Sequence, residues 1–461
     1  MKVQLLVSEW CQPCRGAEEV WRAVAAKKAL AFEVLDVGQP DGRSVAAALS
    51  IRTVPSTVID GELKHVGVPG EREALELVAA APDRAAGARE APAASMGALL
   101  ALGFRPFYLL AGTYAALSVP LWAAQYAGWL PGANPLWHAH EMLFGYAFAV
   151  IAGFLLTAVR NWTGLATPAG AALGAIAAVW IAARLAAFHS IQTSSFLDAV
   201  FAVAVAWGIG RPIVASRNRN WYFIVLVAAL GAASVLFAFA ARLGLQLGLD
   251  LVLFVIAVMA GRVVPAFTNN AVAGARARRN EWLEYAALGS LLLLLACDAS
   301  QFGFGSSLIA LAGAVLHAAR LALWDPLKTR GRPILWILHL SYAWVAVHLL
   351  LRGLAGFDLV PAVLATHALT VGVIGGLTLG MMTRTSRGHS GLPLATGRAE
   401  LAAYVLVHAA AVVRVLVPIF LPSVYPASVA LSAVLWATAF TIFVVTYAPI
   451  LSRPRIDGRP G

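Results

Sequence analysis

The chain has 461 residues, of which 60% are hydrophobic and only 12% are charged, and its formal net charge is +11. Soluble globular proteins carry about 25% charged residues, so this composition excludes an ordinary soluble protein and indicates a chain that crosses a membrane several times. A positive net charge can signal a nucleic-acid partner, but no basic stretch is interleaved with aromatic residues here, and we expect no nucleic-acid binding. Three cysteines are too few for a disulfide scaffold.

Residues 1–81 differ from the rest of the chain, because short apolar runs alternate there with helical patterns. Periodicity predicts strands at residues 3–7, 31–37, 57–59 and 63–66, and helices at 16–26, 42–50 and 72–80. Asp60-Gly61, between the last two strands, is typical of a tight hairpin turn. The predicted order is βαβαββα, a small α/β domain.

A Cys-x-x-Cys motif, Trp10-Cys11-Gln12-Pro13-Cys14, stands between the first strand and the first helix. A helix N-terminus favours negative charge, so we expect the thiolate of Cys11 to be stabilised and reactive. Cys14, one turn further in, is placed to resolve a mixed disulfide. The alternative is half of a zinc site, but this domain has no second pair of Cys or His residues to complete one.

This arrangement resembles the thioredoxin fold: the Cys-x-x-Cys box is similar to that of thioredoxin, and the short length is closer to glutaredoxin. The resemblance implies thiol-disulfide exchange at Cys11 and Cys14, with a thiol reductant as partner. It also implies that Pro55, in Val54-Pro55-Ser56, is a cis proline that faces the two cysteines.

Residues 82–98 are rich in Ala, Pro, Arg and Glu and are typical of a linker. After it, charged residues become rare, and twelve apolar stretches follow that are each about 20 residues long, enough to cross a bilayer. They lie near residues 100–124, 137–159, 169–188, 194–215, 221–241, 248–270, 283–303, 305–324, 333–353, 360–384, 399–421 and 425–450. The sequence therefore predicts a polytopic all-α membrane domain over residues 99–461, with about 12 transmembrane helices.

Basic residues occupy alternate loops between these stretches. The basic set is Arg160; Arg211, Arg217 and Arg219; Arg276, Arg278 and Arg279; Lys328, Arg330 and Arg332; Arg384, Arg387 and Arg398; and Arg453, Arg455 and Arg459. Since cytoplasmic loops carry the excess of Lys and Arg, we expect both termini and the α/β domain in the cytoplasm.

Two histidines and a glutamate, His138, His140 and Glu141, stand at the start of the second apolar stretch. Ionisable residues at such positions indicate a functional site by default, and histidine is the commonest metal ligand. On a regular helix the two histidines point about 200° apart, so they bind one metal only if this segment is not helical. Otherwise they serve two centres, or one binds a metal and the other forms hydrogen bonds. Glu141 could orient a histidine ligand or relay protons.

The expected topology places five histidines near the outer face: His138, His140, His189, His348 and His367. Each of them could instead be a polar interfacial side chain with a hydrogen-bond partner.

Arg262 lies within the sixth stretch, near Pro265, which bends helices. A buried arginine there needs an anion or a carbonyl as partner; the alternative is that it snorkels to the cytoplasmic face.

Four motifs in the membrane part resemble the NnrS family, over residues 96–461. They are His138-x-His140-Glu141-Met142-x-Phe144-Gly145, Gly153 to Val159 followed by Asn161-Trp162-Thr163-Gly164, Gly261-Arg262-x-x-Pro265-x-Phe267-Thr268, and His367 to Gly372 followed by Gly388-His389-Ser390-Gly391. The resemblance implies a bacterial inner-membrane protein that contains haem and copper and is linked to nitric oxide metabolism or nitrosative stress. The N-terminal redox domain departs from the typical member and leaves the electron source open.

Within this resemblance, the predicted metal ligands are His138, His140 and His367. His348, Glu141 and Arg262 complete the predicted cofactor site, with Arg262 facing a haem propionate.

Two other functions stay open on the residues alone. A secondary transporter with a fused redox domain fits twelve spans and an interior arginine. A thiol oxidoreductase that handles quinone fits less well, because the membrane part has no cysteine pair.

Overall fold

The computed structural model describes residues 1–8, 11–83, 93–132 and 134–456. Trp10 and residues 84–92 of the predicted linker lie outside the described residues. The chain divides into two units, Met1–Ala91 and Pro92–Gly461, and each is described by itself.

The first unit is a four-stranded sheet with three helices. Its elements are β1 (Lys2–Val7), α1 (Gln12–Lys27), β2 (Ala31–Asp36), α2 (Pro40–Ala48), β3 (Ser56–Ile59), β4 (Glu62–Val66) and α3 (Glu71–Leu77). The strand order is β2-β1-β3-β4, and only the β1–β2 pair is parallel. Every predicted element is present. Helix α1 begins earlier than predicted, since Cys11 is its N-cap and Pro13 fits the first turn.

The core of this unit lies between the sheet and helices α1 and α3. Val3 and Leu5 from β1 pack there with Trp21 and other apolar residues of α1. The Trp21 indole N–H donates to Thr57 Oγ1 at 2.9 Å, so the one polar atom of this large side chain is satisfied.

In the described part of the second unit, twelve apolar helices form a bundle, preceded by a single helical turn at Met96–Leu99. The helices are α4 (Phe104–Tyr126), α5 (Pro135–Thr163), α6 (Gly170–Ala186), α7 (Ile191–Ala215), α8 (Arg219–Phe239), α9 (Ala241–Ala271), α10 (Glu281–Ala299), α11 (Gly303–Ala322), α12 (Pro333–Ala355), α13 (Ala362–His389), α14 (Arg398–Phe420) and α15 (Pro422–Leu451). All of them except α6 are at least 18 residues long and apolar enough to cross a membrane. Helix α6 has 17 residues, or about 25 Å at the usual helical rise.

Three of the long helices are not regular α-helices along their whole length. They contain π-helical segments at Glu141–Ala147 in α5, Ala368–Gly375 in α13 and Val412–Leu416 in α14. Such segments widen one turn and occur frequently at functional sites. The sequence analysis did not predict them.

The three helices with π-helical segments are neighbours in one part of the bundle. Helix α4 packs against α5 and α15, and α14 packs against α13 and α15. Consecutive helices run in opposite directions, so the end of α4 and the starts of α5, α13 and α15 meet at one end of the bundle. We call this the cavity end; the basic loops lie at the opposite, basic end.

Candidate functional site

The three predicted redox residues of the first unit lie together. Cys11 and Cys14 form a disulfide, and Cys11 Sγ accepts a hydrogen bond from the Cys14 N–H at 3.2 Å. Cys14 is buried, whereas Cys11 is partly exposed. The Val54–Pro55 peptide bond is cis, as the thioredoxin resemblance implied, and the Val54 carbonyl oxygen lies 3.7 Å from Cys11 Sγ. This arrangement exposes one sulfur of the pair more than the other.

The second unit contains a cavity of about 140 Å³ at the cavity end, between α4, α5, α9, α13, α14 and α15. Cofactor sites typically have mostly apolar walls with a few polar groups. The polar groups here include His138, His367 and Arg414, each of which lies in or beside one of the π-helical segments. Two of the three predicted metal ligands therefore line one cavity.

His138 enters the cavity from the first turns of α5. Its ring stacks on the Trp122 indole, with centroids 5.2 Å apart and planes tilted by 15°. Its Nδ1 atom is buried and has no hydrogen-bond partner among the described residues. A buried ring nitrogen without a partner is costly, so this atom fits a site completed by another group.

His367 enters from α13, directly before the second π-helical segment. Its Nδ1 lies 2.7 Å from the Val363 carbonyl oxygen, one turn earlier in the same helix. Since a carbonyl only accepts hydrogen bonds, Nδ1 is the protonated nitrogen, and Nε2 of the neutral ring is left with a free lone pair. A backbone carbonyl commonly orients a metal-binding histidine in this way.

Arg414 is the third polar group of the cavity and lies inside the third π-helical segment. Its side chain is only 9% exposed. Nη2 donates to the Tyr425 hydroxyl at 2.9 Å, whereas the buried Nη1 has no partner among the described residues. Arg414, His138 and His367 line the same cavity. The sequence analysis missed Arg414, although an ionisable residue inside the eleventh apolar stretch was a signal.

His140, the third predicted metal ligand, faces a different part of the bundle. Its Nδ1 lies 2.7 Å from Glu141 Oε1 and its Nε2 lies 2.9 Å from Ser195 Oγ. Arg184 donates to Glu141 Oε1 at 2.7 Å and also to Asp198. His140, Glu141 and Asp198 are completely buried. We call His140, Glu141, Arg184 and Asp198 the ionic cluster.

Of the alternatives for His138 and His140, the structure agrees with the one in which His140 forms hydrogen bonds and does not share a metal with His138. The segment Pro135–His140 is helical, so the two histidines of the motif point to different sides, and both ring nitrogens of His140 are already engaged. Glu141 orients His140 and does not contact His138, because its carboxylate turns toward Arg184 and Tyr114. Among the described residues, no three His, Cys, Asp or Glu side chains are placed to hold a metal ion.

The other outer histidines do not join the cavity. His348 is buried in α12, with Nδ1 lying 2.8 Å from the Ala365 carbonyl oxygen, and is not one of the lining residues. His189 lies after α6 and is exposed. Equal depth in the bundle therefore does not bring these histidines to one cavity, because the direction of each side chain decides which residues line it.

Arg262 is not a buried cofactor ligand, which corrects the prediction made for it. It is exposed near the basic end of α9, where Nη1 donates to Asn220 Oδ1 at 2.7 Å and the guanidinium lies over the Tyr222 ring. The neighbouring Gly261 faces inward, beside Arg320. The Arg262 side chain reaches the start of α8. This position agrees with the alternative that Arg262 snorkels toward the end of its helix.

Comparison with known proteins agrees with the two units. The model of a thioredoxin domain matches residues 1–79, and the model described as NnrS protein matches residues 98–455. No curated protein matches the chain. Because the second match spans well over half of the sequence, this chain is a multi-pass membrane protein that belongs to the NnrS family and carries a thioredoxin domain at its N-terminus.

Proposed function

We propose that this protein binds haem in the cavity at the cavity end and acts in nitric oxide metabolism or the response to nitrosative stress. The observation that carries the proposal is a pair of imidazoles, His138 and His367, that line one apolar cavity together with Arg414, whose buried Nη1 has no partner among the described residues. Histidine nitrogens are common axial ligands of haem iron. The link to nitric oxide rests on the family.

The cavity residues fit a porphyrin in three respects. Its walls include Trp122, Tyr146 and Trp436, which suit a flat apolar ring system. His367 presents Nε2 as a free lone pair, and the Val363 carbonyl holds its ring in place. The buried Nδ1 of His138 lacks a partner within the described part of the chain. Bound there, haem iron would supply a site for nitric oxide or a related nitrogen species.

The protein's own residues would orient the cofactor and keep water away from it. Trp122 stacks on His138 and limits how its ring can turn. The ionic cluster lies beside this segment and fixes the helix that carries His138 through the bonds of Glu141 to Arg184 and Tyr114. The family resemblance also extends to copper, which the same purified protein would reveal by metal analysis.

The proposed location is the bacterial inner membrane, with both termini in the cytoplasm. In that reducing compartment the pair Cys11 and Cys14 would cycle between thiols and a disulfide. With a thiol reductant as its partner, this domain either passes electrons onward or repairs nitrosated thiols.

Absorption spectroscopy of the detergent-purified protein, expressed with haem supplied, tests the proposal. We expect a Soret band that His138→Ala and His367→Ala each weaken or shift, because each removes an imidazole from the cavity. The matched control is His389→Ala, at the basic end of α13, where the ring contacts Phe104 instead of the cavity. This control is expected to keep the wild-type band.

The outcomes separate the cofactor from its site. A colourless wild-type protein would contradict the haem proposal and favour the transporter. If the wild type is coloured and both cavity variants keep its spectrum, the protein binds haem, but at a site other than this cavity.

A further inference from the structure

Among the described residues of the bundle, four arginines have buried side chains: Arg105, Arg184, Arg320 and Arg414. A buried guanidinium is costly unless a carboxylate or several acceptors surround it. Arg184 meets Glu141 and Asp198, so its charge is compensated.

Arg320 has a carboxylate partner, whereas Arg105 has only backbone carbonyls as partners and its buried Nε atom has none among the described residues. Arg320 forms a two-pronged pair with Glu284, with Nε and Nη2 lying 2.8 and 2.6 Å from the two carboxylate oxygens. Arg105 Nη1 donates to two backbone carbonyls at the end of α15, those of Leu451 at 2.9 Å and Arg453 at 2.6 Å.

Arg414 differs from Arg184 and Arg320 because it has no carboxylate partner, and it differs from Arg105 because it lines the cavity. Its single hydrogen bond goes to the neutral Tyr425 hydroxyl, and no carboxylate of the described residues lies within salt-bridge distance of it. Its free Nη1 belongs to a residue that lines the cavity together with both histidines. The site therefore has an uncompensated positive charge and a free donor at a place where a cofactor is proposed.

We infer that Arg414 binds a carboxylate of the porphyrin, so that the cavity selects porphyrins with free propionate groups. This inference rests on the proposed haem function. The guanidinium is a planar fork of donors that matches a carboxylate with two parallel hydrogen bonds. Tyr425 holds one arm of the fork, with its ring 4.8 Å from the guanidinium carbon, and leaves the other arm for the ligand.

This assignment replaces Arg262 as the residue for the propionate. Arg262 is exposed at the basic end of α9, whereas Arg414 lines the same cavity as His138 and His367. Since the carboxylates of a porphyrin lie at the ring edge, the residue that binds them must line the cavity that holds the ring.

The test compares haem with its dimethyl ester, in which both carboxylates are neutral esters. Purified full-length protein without haem is titrated with each, and the Soret change gives the dissociation constant. We expect the wild type to bind haem about 10-fold to 100-fold more tightly than the ester, the range for a lost charge-assisted hydrogen bond. Arg414→Gln is expected to bind both equally, and Arg414→Lys to keep part of the preference.

Arg242→Gln is the matched control, because Arg242 is exposed at the start of α9, at the same end of the bundle. It is expected to keep the wild-type preference. Equal affinity of the wild type for haem and ester would overturn the inference without any variant, as would an Arg414→Gln protein that still prefers haem. If the wild type binds neither porphyrin, the proposed function itself fails, and the inference fails with it.

Discussion

At the scale of single residues, the ionic cluster is the most constrained polar feature of the membrane unit. Arg184 forms salt bridges with the carboxylates of Glu141 and Asp198. His140 lies between these carboxylates, 2.7 Å from Glu141 Oε1 and 3.4 Å from Asp198 Oδ2. Gly145 makes the approach of Arg184 feasible, since a Cβ atom there would lie 2.6 Å from Nη1. The histidine-glutamate pair of the motif thus builds the scaffold, whereas His138, two residues earlier, faces the cavity.

Replacing Arg184 with alanine is expected to destabilise the protein severely. The change leaves Glu141 and Asp198 buried without their cation, a situation that typically costs about 3–5 kcal/mol. The measurement is the midpoint of thermal unfolding in detergent, which should fall clearly. Arg242→Ala, at an exposed arginine, should change stability by about 0.5 kcal/mol or less. Similar midpoints for both variants would contradict the role assigned to the cluster.

At the residue scale, the sequence predicted the type of the site residues and their depth in the bundle, but not the direction in which their side chains point. It placed His138 and His367 at one level, and the two do line one cavity. It grouped His140 with them because helical spacing cannot show which neighbouring helix each face will meet. It singled out Arg262 because of its position within an apolar stretch near Pro265, and it missed Arg414, whose lack of a carboxylate partner among the described residues appears only in three dimensions.

At the scale of helices, the π-helical segments determine how the cavity is built. They lie in three of the six helices that surround it, and Tyr146, Ile374 and Arg414 reach the cavity from them. The apolar stretches predicted where the helices lie, because crossing a bilayer requires long apolar runs, and eleven of the twelve predicted spans are helices long enough to cross among the described residues. It could not predict a locally widened turn, since that depends on the packing of neighbours such as Trp436 against Gly375.

Gly375 ends the π-helical segment of α13 and is the position where this packing is closest. A Cβ atom there would lie 2.4 Å from the Trp436 ring, which lines the cavity and donates to the Ala115 carbonyl at 3.0 Å. Gly375→Ala is therefore expected to lower stability by about 1–3 kcal/mol, and to perturb the Soret band of the haem-loaded protein.

The control for this substitution is Gly289→Ala in α10. Nothing lies within 4 Å of a Cβ atom at that position, and alanine in a helix is about 0.5–1 kcal/mol more favourable than glycine. Thermal unfolding should therefore show opposite signs for the two substitutions. A neutral Gly375→Ala variant would mean that Trp436 moves freely and that the cavity wall is not fixed by this contact.

At the scale of the whole molecule, the apolar helices and the alternation of basic loops lead to an expectation about which compartment the cavity faces. If α6 crosses the membrane together with the eleven longer helices of the described residues, the number of crossings is even and both ends of the membrane unit lie on the same side. Because the basic residues cluster at the basic end, the positive-inside rule leads us to expect that end in the cytoplasm. We then expect the cavity to open toward the outer face.

Cysteine accessibility in intact cells tests this orientation. In a background of Cys11→Ser, Cys14→Ser and Cys297→Ser, Trp129→Cys lies in the loop between α4 and α5, at the cavity end, where Trp129 is 79% exposed. We expect it to react with a membrane-impermeant maleimide added from outside. The matched variant Ser216→Cys, exposed after α7 at the basic end, should react only after the cells are opened.

The reverse labelling pattern would place the cavity on the cytoplasmic side and the thioredoxin domain outside. Cys11 and Cys14 would then face an oxidising environment, where a disulfide persists, and cycling by a cytoplasmic reductant would no longer be feasible. His138, His367 and Arg414 would still line one cavity, so the haem titration and the labelling experiment test independent properties. If labelling follows the expected pattern, electrons from the dithiol would have to cross the bilayer to reach the cavity. That result would favour the repair of cytoplasmic nitrosated thiols over electron transfer as the role of this domain.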